Sequence, residues 1–244
     1  MSTSTISEAA PRFAPCEKLD IELELAAVVG RPSKMGTPIT TTEAAEMIFG
    51  YVLLNDWSAR DIQVWEYQPL GPFQSKVFAS SVSPWIVTAD ALAPFRVAAP
   101  EPEKPLLPYL RETEPGLYDI DLEVTLAPEG RAPTVISHSN YRHMYYSAAQ
   151  QLTHHAVGGC AMCTGDLLGS GTISGPIPDS RGSLLEITWN GRDPIAVDGG
   201  ERRFVEDGDT LTIRGWCEGA GRRIGFGQVT TQVLSAPALP EAWS

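Results

Sequence analysis

Residues 19–29 read Leu-Asp-Ile-Glu-Leu-Glu-Leu-Ala-Ala-Val-Val. The segment alternates apolar and acidic residues and then becomes wholly apolar, the pattern of a β-strand that starts at a surface and enters a core. Residues two apart on a strand share a face. Glu22 and Glu24 therefore point one way, and Leu23 and Leu25 the other. A chain that begins so must bury one face of a sheet, and it must also settle two like charges held side by side, each raising the other's pKa. A divalent cation between them would do so. A solvated strand edge would also do so, and on this pattern alone it is the simpler reading.

Strand signals continue along the chain. Residues 118–126 alternate, residues 210–216 form another strand, and residues 184–189 and 194–197 flank Asn190-Gly191, a hairpin turn pair. Helices are few. Thr40-x-x-Glu43 is a capping box that opens a short helix to about Ile48. The longest helical candidate spans 140–157, with Gly158 as its stop. Five prolines between Ala98 and Pro115 exclude a regular helix and mark a surface loop. The fold class expected is mixed and β-rich (α+β), with a few helices packed on the sheets. Residues 1–15 are expected to be a disordered leader, 16–237 one domain and 238–244 a tail.

The net charge of −12 argues against a nucleic-acid partner, whose phosphates need a basic face. No apolar run is long enough to span a membrane. Cys16, Cys160, Cys163 and Cys217, with no secretion signal before them, are expected as free thiols in a cytoplasmic setting. Cys160 and Cys163 have C-x-x-C spacing, but no second pair or suitably spaced histidines accompany them, so they do not make a metal site.

A third acid changes the balance for the glutamates. The apolar run 51–54 ends at Asn55-Asp56, followed by a polar helical stretch. A helix starting near Ser58 places Arg60, Gln63 and Tyr67 on one face. Three carboxylates suit a hard cation such as Mg²⁺ or Ca²⁺, which prefers oxygen ligands.

The blocks Glu22-Leu23-Glu24, Asn55-Asp56-Trp57-Ser58-Ala59-Arg60-Asp61-Ile62-Gln63 and Pro69-Leu70-Gly71-Pro72-Phe73 closely resemble the fumarylacetoacetase family. So do Ser81-Val82-Ser83-Pro84-Trp85, the stretch Gln150 to His155, and the stretch Gly169 to Pro176. The resemblance runs from about Pro15 to Leu234 in the family's order. It implies a β-sandwich roll, a homodimer, a small β-diketo acid substrate, and Mg²⁺ or Ca²⁺ as cofactor. Glu22, Glu24 and Asp56 match its metal-binding carboxylates, and Lys76 and Ser80 match further metal-site positions. A lysine ammonium cannot ligate a cation, so any such contact at Lys76 has to come from its backbone carbonyl, leaving the side chain for an oxyanion. Gln63, Tyr67 and Thr172 match substrate contacts. Arg60, Gln63 and Lys76 resemble the group that stabilises and protonates the leaving carbanion, and Glu186 resembles the acid that orients a catalytic histidine.

The same resemblance places that histidine upstream of the paired glutamates, with a further metal-binding Asp and substrate-binding Tyr and Arg. The 21 residues before Glu22 hold no His or Tyr. The expectation is a chain that binds metal and diketone but hydrolyses slowly, with Glu186 facing a gap where its imidazole partner would be. His138 and His143 are expected at the surface, and His154 and His155 in buried, hydrogen-bonded structural roles. The alternative is a non-catalytic metal-binding remnant, or a regulatory partner of a full-length copy. A related decarboxylase or hydratase is a third reading.

Overall fold

The structure, a computed structural model, describes residues 13–219, 221–238 and 240. Most of the expected leader and part of the expected tail lie outside the described residues. In chain order the elements are β1 (Leu19–Asp20), β2 (Leu23–Val29), α1 (Thr41–Met47), β3 (Ile48–Asp56), β4 (Ser58–Ala59), α2 (Arg60–Glu66), α3 (Gln74–Val77), β5 (Ser80–Val82), β6 (Val87–Thr88) and α4 (Ala89–Leu92). Then come β7 (Arg96–Val97), β8 (Leu117–Tyr118), β9 (Asp121–Ala127), β10 (Thr134–Asn140), α5 (Ala148–Ala156) and β11 (Leu167–Gly169). The last are α6 (Leu184–Ile187), β12 (Ile195–Val197), β13 (Gly200–Arg202), β14 (Thr210–Gly219) and β15 (Arg222–Gln232).

Two antiparallel sheets carry the fold. One has the order β11-β2-β3-β5, with β6 also on β3, and the other runs β10-β9-β14-β15. Their inner faces meet in one core. Leu23, Leu25, Tyr51 and Leu53 come from the first sheet, and Leu122, Val124, Leu211, Ile213 and Phe226 from the second. This is face-to-face sheet packing, and the expected β-rich sandwich with few helices is what forms. The opposite face of the first sheet carries a smaller apolar cluster of Ala26, Val28 and Val52. Glu24 shares that side of β2 by strand alternation.

The capping box at Thr40 forms in full: Thr40 accepts from the Glu43 amide, and Glu43 accepts from the Thr40 amide. The proline-rich stretch is the loop between β7 and β8, which pair with each other. Two expectations need correction. The helix expected over 140–157 begins only at Ala148. Asn140 ends β10 and caps a single 3-10 turn, while Ser147 and Gln150 form the true capping box. Gly159, not Gly158, takes the left-handed conformation after it, at φ 88°.

The strand expected over 184–189 is instead the helix α6, capped by Ser183, whose side chain accepts from the Glu186 amide. Trp189, Asn190 and Gly191 all have positive φ, so the turn is real. It joins a helix to the following segment, and β12 pairs with β13 beyond it. A helix rather than a strand forms because the carboxylate of Asp20 accepts the first free amides of α6, as shown below. Helix N-termini leave such donors without internal partners.

Candidate metal centre and adjoining cavity

The acids converge where adjacent strands end. Register places Leu23 opposite Asn55 and Glu24 opposite Leu54. The Asp56 amide donates to the Glu22 carbonyl at 3.2 Å, and Ser80 lies opposite Asp56 on the other side of β3. One carboxylate oxygen from each of Glu22, Glu24 and Asp56 lies within 4.8 Å of the others. Glu24 is buried, while Glu22 and Asp56 are half-buried. Backbone shape makes the room: a Cβ at Gly169 would sit 2.8 Å from Glu24 Oε2.

The electrostatics are lopsided. Burial, with the charges of Glu22 and Asp56 beside it, pushes the Glu24 carboxyl up to about 8, and the Gly171 amide is its compensating hydrogen bond, at 3.0 Å. Burial also pushes Glu22 up, but Lys76 and Arg60 overcome it and leave that carboxyl below its usual value. Lys76 Nζ donates to Glu22 Oε2 at 2.5 Å and to Asp56 Oδ2 at 3.0 Å. The side chain expected to be free for an oxyanion is therefore tied to two of the three acids. A carboxyl held near 8 by burial and by like charges, in an all-oxygen donor set of this span, fits a hard divalent cation.

Lys76 is aimed by a feature the sequence reading missed. Glu66, the last residue of α2, accepts from the amides of Phe73, Gln74 and Ser75 and from Ser75 Oγ, and these bonds hold its pKa down to about 2. The start of α3 is thereby fastened to the end of α2. Arg60 opens α2 and is buried. Its Nη1 donates to Glu22 Oε1 at 2.8 Å and to Gln63 Oε1 at 3.0 Å, and its Nε donates to Asp20 Oδ2 at 2.8 Å. Ser58 and Ala59, expected at the start of this helix, form β4 and pair with β1.

Glu22 and Arg60 also line a cavity of about 430 Å³, together with Thr172, Ser174, His143 and Glu186. Glu186 Oε2 accepts from Ser174 Oγ at 2.5 Å and from Ser183 Oγ at 3.3 Å. Two hydroxyls hold its Oε2, and the residue lines the cavity. His143, expected at the surface, is half-buried on the same cavity wall, and burial with the neighbouring Arg142 charge lowers its pKa. His138 is exposed as expected and packs near Trp216, whereas His154 and His155, expected to be buried, are exposed on the last turn of α5, with His154 Nδ1 2.9 Å from the Tyr109 hydroxyl. Of the expected site residues, Glu22, Arg60, Thr172 and Glu186 share this wall; Gln63 and Lys76 are bonded to its members. Tyr67 is exposed and does not line the cavity. A second cavity, about 410 Å³, lies between α1 and residues 112–118 and holds none of these acids.

The family "Fumarylacetoacetate (FAA) hydrolase C-terminal" matches residues 2–234 of this sequence. The chain belongs to this family. It is 54% identical over 228 residues to the fumarylacetoacetase of Arabidopsis thaliana and 52% identical over 228 residues to that of Homo sapiens. Each alignment covers 93% of this chain and 54% of the relative, so the chain spans about half the length of these family members. Among solved structures, a fumarylacetoacetate hydrolase from psychrophilic Exiguobacterium antarcticum superposes with a TM-score of 0.55 at 22% identity, over 90% of this chain and 58% of that one. A 5-carboxymethyl-2-hydroxymuconate delta-isomerase from Mycobacterium smegmatis gives 0.54 at 23% identity, over 91% and 61%. Both share the fold of this family member.

Beyond Glu66, the sequence reading missed Ser174, Ser183 and Asp20 as functional supports. Asp20 had a usable signal: it is the first acid of the alternating run, two residues before Glu22. Ser174 and Ser183 had none, since serines in a glycine-rich stretch read as local turn residues.

Proposed function

We propose that this chain is the metal-binding part of a hydrolase that cuts the carbon–carbon bond of fumarylacetoacetate, giving fumarate and acetoacetate. The observation that carries the reading is the convergence of Glu22, Glu24 and Asp56 beside a cavity that also presents Arg60, Thr172 and Glu186. Glu22, Glu24 and Asp56 would hold Mg²⁺ or Ca²⁺, with Ser80 and the Lys76 backbone alongside. When bound, such a cation supplies Lewis-acid polarisation of the diketone carbonyls.

The chain's own residues account for the rest of the reaction. Bond cleavage leaves negative charge on the departing enolate; Arg60 is a cation on the cavity wall, and Lys76, bonded to Glu22, is a second one beside it, released toward that charge once a cation is bound. Preorganised donors of this kind supply roughly 3–4 kcal/mol each to a transition state. Gln63, held by Arg60, and Thr172 on the wall orient the substrate's oxygens, while Tyr67, exposed at the end of α2, stands off that wall. Glu186, fixed by Ser174 and Ser183, is an acceptor for the N–H of an imidazole or for a water. A homodimer accords with the exposed Val64, Trp65, Leu70, Phe73 and Val77 on and beside α2 and α3. A cytoplasmic setting accords with the four free thiols.

The test is a steady-state assay of the purified chain on fumarylacetoacetate, after chelation and after return of Mg²⁺ or Ca²⁺. Metal-restored turnover supports the reading. Stimulation by added imidazole would mark a proton acceptor that these residues do not supply, and unstimulated turnover would point to His143. Metal binding without turnover under every condition would sink the hydrolase and favour a metal-binding partner of a longer copy.

A further inference from the structure

Arg60 and Glu186 face one cavity from chain segments more than a hundred residues apart, and one side chain joins them. Asp20 has no exposed surface. Its Oδ2 accepts from Arg60 Nε at 2.8 Å and from the Leu185 amide at 3.0 Å. Its Oδ1 accepts from the Leu184 amide at 2.8 Å and from the Ile21 amide at 2.8 Å. Leu184 and Leu185 are the first two residues of α6, which carries Glu186. Asp20 is not on the cavity wall, so it does not meet a substrate there.

We propose that Asp20 is a positioning residue that locks the Arg60 guanidinium to the turn bearing Glu186, so that cation and carboxylate face the cavity in one fixed geometry. The proposal rests on the hydrolytic reading of the cavity. Arg60 has three anchors: Asp20, Glu22 and Gln63. Glu22 and Gln63 are themselves groups that engage a cation or substrate, so their bonds to Arg60 share those side chains with that task. The bond to Asp20 lies behind the cavity and persists. A displacement of about 1 Å in a group that meets a transition state costs about 10²-fold in rate, so an anchor outside the reaction space matters for turnover. All four partners of Asp20 are N–H donors. An asparagine has the same shape, yet it would turn an NH₂ toward at least one of them, which makes Asp20→Asn a shape-conserving way to break the lock.

The experiment uses the full chain in two arms. In the first, ¹⁵N-arginine labelling follows the Arg60 Nε–H, assigned by its disappearance in Arg60→Lys. The wild-type signal is expected to exchange with water far more slowly than those of exposed arginines, and Asp20→Asn to abolish that protection. Rapid exchange in the wild type overturns the proposal, and this reading holds even if the variant does not fold. In the second arm, Asp20→Asn is expected to lower kcat about 10–100-fold, as supporting contacts around a site typically do, with KM nearly unchanged. In an Arg60→Ala background the same change should cost less than about 3-fold, because groups acting as a unit are not additive. An equal fold loss in both backgrounds, or none in either, overturns it. If the wild-type chain hydrolyses no diketone, the hydrolytic reading falls, and the exchange arm alone decides the role of Asp20.

Discussion

Asp20 and Glu24 lie four residues apart on one edge of the same site, and both are buried, yet the protein treats them in opposite ways. At the Asp20 end, burial pushes the carboxyl up while Arg60 and two α6 amides pull it back, and four donors fill its acceptor positions. At the Glu24 end a single amide donates to the carboxylate, and the charges of two more acids outweigh that of Lys76. One end is completed by the chain itself. The other is left short of positive charge, with Lys76 reaching Glu22 and Asp56. A buried polar group without compensation is costly, so the incomplete end is where an external cation has the most to contribute.

The largest effect should come from removing the completed end. Asp20→Ala strips the buried Arg60 Nε and the amides of Ile21, Leu184 and Leu185 of their acceptor, and removing one partner of a buried ion pair costs about 3–5 kcal/mol. Urea unfolding of the metal-free chain should show that loss, whereas Glu24→Gln should show none, or a gain. Equal losses at both positions would erase the contrast.

Metal-linked stabilisation comes next. Saturation at 100 times the dissociation constant adds about 2.7 kcal/mol to a folded state that alone binds the ligand. Mg²⁺ should therefore raise the melting temperature of the wild type, and Asp56→Ala should abolish the rise. A rise that survives Asp56→Ala would place the cation elsewhere.

The pH dependence follows from Glu24. Its pKa in the fold is raised from an ordinary 4.5 to about 8, so the folded state favours the protonated form. That contribution is fully present below the ordinary value and is lost as pH rises through about 8. Metal-free wild type should lose stability relative to Glu24→Gln across this window, and bound Mg²⁺ should remove the difference. Parallel pH profiles would show that Glu24 does not titrate as its surroundings require.

The smallest effect concerns Tyr67, which lies exposed and off the cavity. Tyr67→Phe should shift stability by no more than about 0.5 kcal/mol, as surface substitutions do, and leave Mg²⁺ affinity unchanged. A loss of metal binding there would mean that α2 closes over the acids.

The difference between the two ends also explains what could be read from the sequence. The capping box at Thr40 and the strand over residues 23–29 are local patterns and appear where the sequence places them, whereas the strand expected over 19–29 is broken at residues 21–22, leaving β1 on β4 and β2 on β3. The segment 184–189 could not be read so. Its alternation and the Asn190-Gly191 pair suggest a hairpin, but its first amides are held by Asp20 across 164 and 165 residues. The helix expected over 140–157 failed for a more local reason, since a strand pairing at Asn140 and a second capping box at Ser147 divide it. Among the site residues, residue type and order pointed to the acids, Arg60 and Glu186. The tie of Lys76 to Glu22 and Asp56, and the place of His143 on the cavity wall, depend on loops whose paths carry no periodic signal.

The most direct test of the account is a crystal grown with Mn²⁺ and measured for anomalous scattering. The expected result is one strong peak within a cation–oxygen bond length, about 2.0–2.6 Å, of carboxylate oxygens from Glu22, Glu24 and Asp56, with Lys76 Nζ withdrawn from between Glu22 and Asp56 and Asp20 still bonded to Arg60. A peak elsewhere on the molecule, or no peak with Lys76 still bridging Glu22 and Asp56 at saturating Mn²⁺, would contradict it.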